Sequence, residues 1–357
     1  MDYAANAPGI LALAFWVGSA VLGLTLLLLS QVLLMRALLH RRQRRRERLL
    51  ARWRPLIMRG VSGRSVELPE LQRGDFADFA QLWIHFHEVL GGESRQRLNQ
   101  LGRAVGLAEM ASERLDTKVG EAQLLAILTL GHLGERSAWE RLLDLAEHPN
   151  LVTSITAARA LVLIDADEAM PLLAPIIERR DDWPLARIGA ILHEAGPDAV
   201  SLPLVNVVTQ AEWGRMARLI RLLKYTEGRL TLTVVRAVTR CTSDPDIVAA
   251  CLQLIRLLPG LPDKRDAEVA RRFLQAEDWR VRVQAALALG RVGVAEDRAA
   301  LAVLLTDRQW WVRYRAAQAL LELPGASHEG MLEVLARQTD PFARDMLSQV
   351  LAVRYPS

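Results

Sequence analysis

Lysine is almost missing from this chain, at Lys118, Lys224 and Lys264 only, and cysteine occurs just twice, at Cys241 and Cys251. Arginine carries nearly all of the positive charge, which we read as a compositional bias rather than a functional signal. Two cysteines cannot form a disulfide framework or a zinc knuckle, and they fit free thiols in a reducing compartment. CxxC, HExxH, P-loop, GxGxxG and GxSxG patterns are all missing, which removes the usual signatures of structural zinc, phosphate cradling and nucleophilic hydrolysis. His85 and His87 are two apart, so a helix places them on different faces and they make poor co-ligands. Paired acids such as Asp181 and Asp182 sit where helix capping explains them. No catalytic group, cofactor or metal is expected. Alternating strand patterns are also lacking, which leaves an all-α chain.

Charge is missing altogether from Ala7 to Met35, 29 residues long. About 20 apolar residues cross a bilayer as a helix, the only single-segment solution where lipid cannot satisfy backbone groups. A cleaved leader would have a shorter apolar core behind a basic stretch, whereas here the preceding residues carry only Asp2. Ser19 and Gly23 form a small-xxx-small pair suited to packing against another span. Directly after the apolar run comes LHRRQRRRER, Leu39 to Arg48. Arg36, Arg41, Arg42, Arg44, Arg45, Arg46 and Arg48 would hold this side in the cytoplasm by the positive-inside rule and attract anionic headgroups. Leu38, Leu39, Leu49, Leu50 and Trp53 suggest that the helix continues along the lipid interface.

Nine arginines and one acid, Glu47, lie between residues 36 and 54, a formal +8, and Asp2 contributes −1. The whole chain is +4, so residues 55 to 357 sum to −3. A nucleic-acid reader should show a basic folded domain. A membrane-tethered nucleic-acid binder therefore remains only as an alternative.

From residue 117 onward the chain repeats. Related segments begin at residues 117, 149, 182, 212, 244, 278, 309 and 340, at intervals of 32, 33, 30, 32, 34, 31 and 31. Most open with Asp, Pro or both and continue with apolar residues at helical spacing, and a second amphipathic helix separates neighbours. Such hairpins cover one another's apolar faces and stack into a solenoid of about eight units. Residues 75 to 116 fall outside the period and read as two or three helices capping the N-terminal end. Asp75 would cap the first of these, with Phe76, Phe79, Leu82, Trp83, Phe86 and Val89 along its core side.

The segments DWRVRVQAALALGRVG and QWWVRYRAAQALLELPG resemble the HEAT-repeat consensus. Asp278, Val281, Arg282, Ala285, Ala286 and Leu289 fill its places in one, and Asp307, Val312, Arg313, Ala316, Ala317 and Leu320 in the other. The resemblance covers residues 117 to 354 and is weakest at 212 and 244, where the small pair is lost. It implies close helix approach at the alanines and an acid–arginine ladder between repeats. HEAT-like arrays include phycobilin lyases, so a lyase is a further alternative.

Trp183, Trp213, Trp279, Trp310 and Trp311 recur at repeat starts. They either cover the joints between hairpins or, with Arg280, Arg282, Arg313 and Arg315, form a protein-binding edge, since Trp and Arg dominate interface hot spots. The expectation is a single-pass bacterial inner-membrane protein holding a cytoplasmic interaction scaffold. By resemblance to membrane-anchored HEAT proteins of envelope machinery, its partner would be an integral membrane enzyme such as an exopolysaccharide glycosyltransferase.

Overall fold

The computed structural model describes residues 7–117, 119–258 and 263–355. In its first helix the described side chains are Trp16 and those from Leu22 onward, except Thr25 and Arg42. The side chains of Ser19 and Arg42 thus lie outside the described residues, while Gly23 has open space around it. Among the described residues there are nineteen α-helices, a few short 3-10 turns and no strand. The chain divides into two compact units, ending and beginning at Leu133 and Gly134.

The first unit is dominated by α1, Ala7–Val61, a continuous 55-residue helix. Among the described residues it is the one helix long and apolar enough to cross a membrane, by length and composition. Its apolar side chains from Leu26 to Met35 are exposed, whereas its C-terminal end is packed. Leu49, Trp53, Ile57 and Val61 are buried at a spacing of four, one stripe down the helix. They meet α2 (Phe76–Val89) and α3 (Gly92–Ala104), with the Trp53 ring edge-on to Phe79 at 4.7 Å. Leu49 and Trp53 therefore belong to a protein core and not to a lipid interface; only Leu38 and Leu39 remain exposed as that reading required.

Two members of the arginine run are also committed within the protein. Arg45 pairs with Asp75 at 2.7 Å, and Arg46 donates to Gln81 at 2.8 Å and lies 3.7 Å from Asp78. Asp75 makes no side-chain capping bond to α2 because that carboxylate is turned to Arg45. Arg36, Arg41, Arg44 and Arg48 remain exposed.

The rest of the unit is α4 (Leu107–Ser112) and α5 (Glu121–Leu133). On α2, Phe76, Phe79, Leu82 and Trp83 are buried as expected, but Val89 points to solvent and Ile84 and His87 turn inward. Trp83 donates to the Leu98 carbonyl at 3.1 Å, and Gly102 of α3 leaves just enough room for its indole. Asn99 and Arg103 of α3 donate to the carbonyls of His132 and Leu133, tying α5 into this core.

In the second unit two layers of helices alternate along the chain. One layer holds α6 (Trp139–Ala146), α8 (Ala166–Arg179), α10 (Pro197–Gln210), α12 (Gly228–Cys241), α14 (Lys264–Arg272), α16 (Arg298–Val303) and α18 (His328–Arg337). The other holds α7 (Leu151–Ile164), α9 (Leu185–Ala195), α11 (Trp213–Ile220), α13 (Pro245–Leu257), α15 (Trp279–Val292), α17 (Trp310–Glu322) and α19 (Pro341–Arg354). Within the first layer α8 packs on α10, α10 on α12 and α12 on α14; within the second α7 packs on α9, and α11, α13, α15, α17 and α19 follow in series. Such a stack of hairpins is an α-solenoid.

Side chains at the helix starts do what the Asp positions promised, and Asn150 does the same. Asn150, Asp165, Asp244, Asp278 and Asp340 each accept backbone N–H bonds at the head of their helix, satisfying donors that the first turn leaves free. Close approach is visible at Gly290, where an added Cβ would lie 2.7 Å from the Ala319 backbone. Ala285, Ala286, Ala316 and Ala317 are fully buried at the same α15–α17 contact. The weak repeat at residue 212 has a structural counterpart: α11 stops at Ile220 and the 3-10 turn Leu223–Tyr225 takes its place against α9, with the Tyr225 ring occupying the space over Gly189.

Candidate functional site

Several arginines of the second unit serve the stack. In the first layer Arg136 pairs with Asp165 and Glu168, Arg236 with Asp266 at 2.6 Å, and Arg271 with Asp297 at 3.0 Å, each reaching the next helix of its layer or the turn leading into it. In the second layer Arg159 pairs with Glu194 at 2.8 Å, and Arg282 with Asp307 at 2.7 and 2.9 Å. These are the rungs of an acid–arginine ladder. Asp266 is fully buried and closes a capping box with Asp263, so its charge is neutralised twice, by a helix N-terminus and by a guanidinium.

The residues singled out from sequence divide between this ladder and the surface. Arg282 is buried, and besides Asp307 it donates to the carbonyls of Ala276 and Glu277. It is a joint and not part of an exposed edge. Trp183 is 1% exposed, its indole donating to Ser154 Oγ at 3.0 Å, so it too is core. Arg280 bridges Asp278 and Asp246, both at 2.8 Å; hydrogen bonding to Asp278 raises its pKa above the ordinary guanidinium value and lowers that of Asp278. Arg313 donates to the Asp307 carbonyl at 2.8 Å and lies over the Phe342 ring.

Trp213, Trp279, Trp310 and Trp311 stay at the surface, at 55%, 37%, 43% and 50% exposure. Trp310 stacks on Tyr314 at 5.1 Å and is edge-on to Trp311 at 4.7 Å, so the two adjacent rings lie nearly perpendicular.

Trp279, Trp311 and Arg315 converge. They line a groove of about 1360 Å³ running over α13, α15, α17 and α19 on the outer face of the second layer. Its floor is apolar, with Val283, Leu287, Leu321 and Val350, and Gln284 and Gln318 stand among them. Along the opposite rim lie Arg256, Arg291 and Arg354, near the C-terminal ends of α13, α15 and α19. Trp213, Trp310, Arg280 and Arg313 do not line it.

Those three rim arginines and the two glutamines were not singled out from sequence. A signal existed: in the segments starting at residues 244, 278 and 340 an arginine recurs at nearly the same register, at Arg256, Arg291 and Arg354. It was hidden because basic residues at a helix C-terminus are ordinary partners of the helix dipole.

Chemically the groove offers cations, amides and aromatic faces, and no nucleophile–base pair. Among the described residues no group of three or more His, Cys, Asp or Glu gathers as metal ligands. Cys251 is buried and its thiol is pushed up to about 12, which keeps it protonated and unreactive.

No curated protein matches the sequence. Among solved structures, the complex of CpcE and CpcF of phycocyanin lyase from Nostoc sp. PCC7120 is similar at 19% identity and a TM-score of 0.25, over 79% of this chain and 99% of that one. An engineered protein is similar at 18% identity and a TM-score of 0.19, over 68% of this chain and 94% of that one. The family model described as HEAT repeats matches residues 108–192 and 232–321, so these two stretches of the chain carry HEAT repeats.

Proposed function

We propose that this protein is a membrane-tethered protein-interaction scaffold: α1 anchors it, and the outer face of the second layer binds an integral membrane partner. HEAT repeats point to a helical scaffold for protein interaction. The observation that carries the reading is the groove, where Trp279 and Trp311 stand partly exposed above an apolar floor rimmed by arginine. A stack needs no solvent-facing tryptophan, and Trp with Arg is the composition of interface hot spots. An exposed apolar stretch followed by basic residues on α1 supports a single-pass anchor with the repeats on the cytoplasmic side. Tethering confines the search to two dimensions and raises effective concentration at the membrane. By the resemblance noted above, the first partner to examine is an exopolysaccharide glycosyltransferase of a bacterial inner membrane.

Affinity purification from detergent-solubilised membranes tests this, comparing the intact chain with its Trp279→Ala/Trp311→Ala form. We expect one membrane protein to be retained by the intact chain and reduced at least about thirtyfold by the double substitution, each lost anchor being worth at least ~1 kcal/mol. An intact chain that stays in the supernatant after high-speed centrifugation, or equal retention by both forms, would overturn it.

A further inference from the structure

One concentration of charge lines the groove without serving the stack. The ladder arginines each meet a carboxylate of a neighbouring repeat, whereas among the described residues Arg256, Arg291, Arg315 and Arg354 form no ion pair. Arg315 is held by Gln318 Oε1 at 2.7 Å and lies beside the Tyr314 ring. Glu322 is the one acid on the wall, so four arginines against one glutamate give the lining a formal +3. That concentration sits in a body of residues 55–357 that sums to −3. Helix dipoles account for Arg256, Arg291 and Arg354 one at a time, at about 0.3–1 kcal/mol each. They do not account for Arg315, in mid-helix, facing the same space.

Two buried polar atoms in the groove also lack partners. Arg256 Nε has a hydrogen to donate, and Gln284 Oε1 has lone pairs to accept with. Leaving such atoms dry costs about 1–3 kcal/mol each. A polypeptide can bring both carboxylates for the arginines and apolar side chains for the floor, whereas a phosphodiester brings no apolar group.

We propose that the groove binds an acidic, partly apolar segment of the partner protein, with carboxylates along Arg256, Arg291 and Arg354 and an apolar side chain between Trp279 and Trp311. This rests on the protein-binding reading of the same face and names the chemistry of what that face holds. Guanidinium–carboxylate pairing at a half-open rim supplies register and on-rate, while the apolar floor supplies contact area. A nucleic-acid strand would require a longer basic track than four arginines interrupted by Glu322.

The test uses the full chain in its own membranes with Val353 replaced by p-benzoylphenylalanine. Val353 lines the groove and is 81% exposed. After irradiation the adducts are digested and sequenced by mass spectrometry, with Leu202 on α10 as a probe position away from the groove. We expect one protein segment rich in Asp or Glu, obtained from Val353 and not from Leu202. Its yield should fall about tenfold in Arg291→Glu/Arg354→Glu and also in Arg291→Gln/Arg354→Gln, the latter free of like-charge repulsion. Both arginines are exposed, so melting temperatures should match the parent chain. A nucleic-acid or lipid adduct at Val353 overturns the proposal. So does a protein segment without excess acid, one insensitive to both double substitutions, or no Val353 adduct from a chain that still retrieves its partner; the protein-binding reading survives those three. No protein adduct together with no partner retrieved brings both down.

Discussion

The guanidinium of Arg282 lies in the joint between two repeats, held by the Asp307 carboxylate on one side and two backbone carbonyls on the other. Arg282→Ala leaves that carboxylate buried without its cation, and we expect a loss of about 3–5 kcal/mol, measured as a lowered urea midpoint. Arg282→Met combined with Asp307→Leu should recover only part of it, because an apolar pair avoids the desolvation of both charges but leaves the Ala276 and Glu277 carbonyls without the guanidinium. Burial pushes the Asp307 carboxyl up, but its bonds to Arg282 and to the Gln309 N–H prevail and hold it below the ordinary 3.8. Its stabilisation is therefore complete above the unfolded value near 4 and is lost as pH falls through the lower folded value. His87 behaves in the same sense for a different reason. Burial lowers its pKa from 6.5, against an opposing hydrogen bond with Asn99 at 2.7 Å. The unfolded chain takes up the proton first, so stability drops as pH falls through 6.5; His87→Gln should flatten thermal melting temperatures between pH 6.5 and 5. Side-chain direction was the part that sequence hid. Trp183 and Trp213 both follow an acid at a repeat start, yet Trp183 precedes Pro184 and its ring turns in to Ser154, whereas Trp213 is the first residue of α11 and faces out.

At the element scale, α15 and α17 are held at backbone distance by Gly290, and Gly290→Ala would set a methyl against the main chain of Ala319. Helix propensity alone favours alanine by about 1 kcal/mol, so a net destabilisation of about 1–3 kcal/mol in calorimetry would mean that overpacking wins. The resemblance of the small-residue pattern to HEAT repeats made this contact legible in the sequence. Helix starts were legible for the same kind of reason, since Asp278 and Asp244 cap through bonds two or three residues away. Asp75 was not, because its partner Arg45 is thirty residues distant and nothing local reveals the competition. Likewise the charge of the arginine run was plain, but the return of Arg45 and Arg46 to the head of α2 depends on tertiary packing. The groove combines both cases: Trp279 and Trp311 stood out by composition, while the convergence of Arg256, Arg291 and Arg354 arises only when four successive repeats stack.

On the scale of the whole molecule, the repeating period runs from residue 117, but the first compact unit extends to Leu133. The segment at α5 carries the repeat pattern and nonetheless belongs to the core of α1 to α4, because Asn99 and Arg103 capture its last carbonyls. A stack whose units touch only their neighbours should open first where burial is least. We expect amide hydrogen exchange to be fastest in α18, where Met331 is the one buried residue, and slowest in α15, which is covered on both sides. The unbroken course of α1 has a further mechanical result. Between Met35 and Leu49 the chain advances about 21 Å as helix with no turn or glycine to act as a swivel. Leu49, Trp53 and Ile57 lock its far end into the first unit. Torque applied to the greasy end therefore arrives at Trp53 undiminished, as through a drive shaft and not a cord.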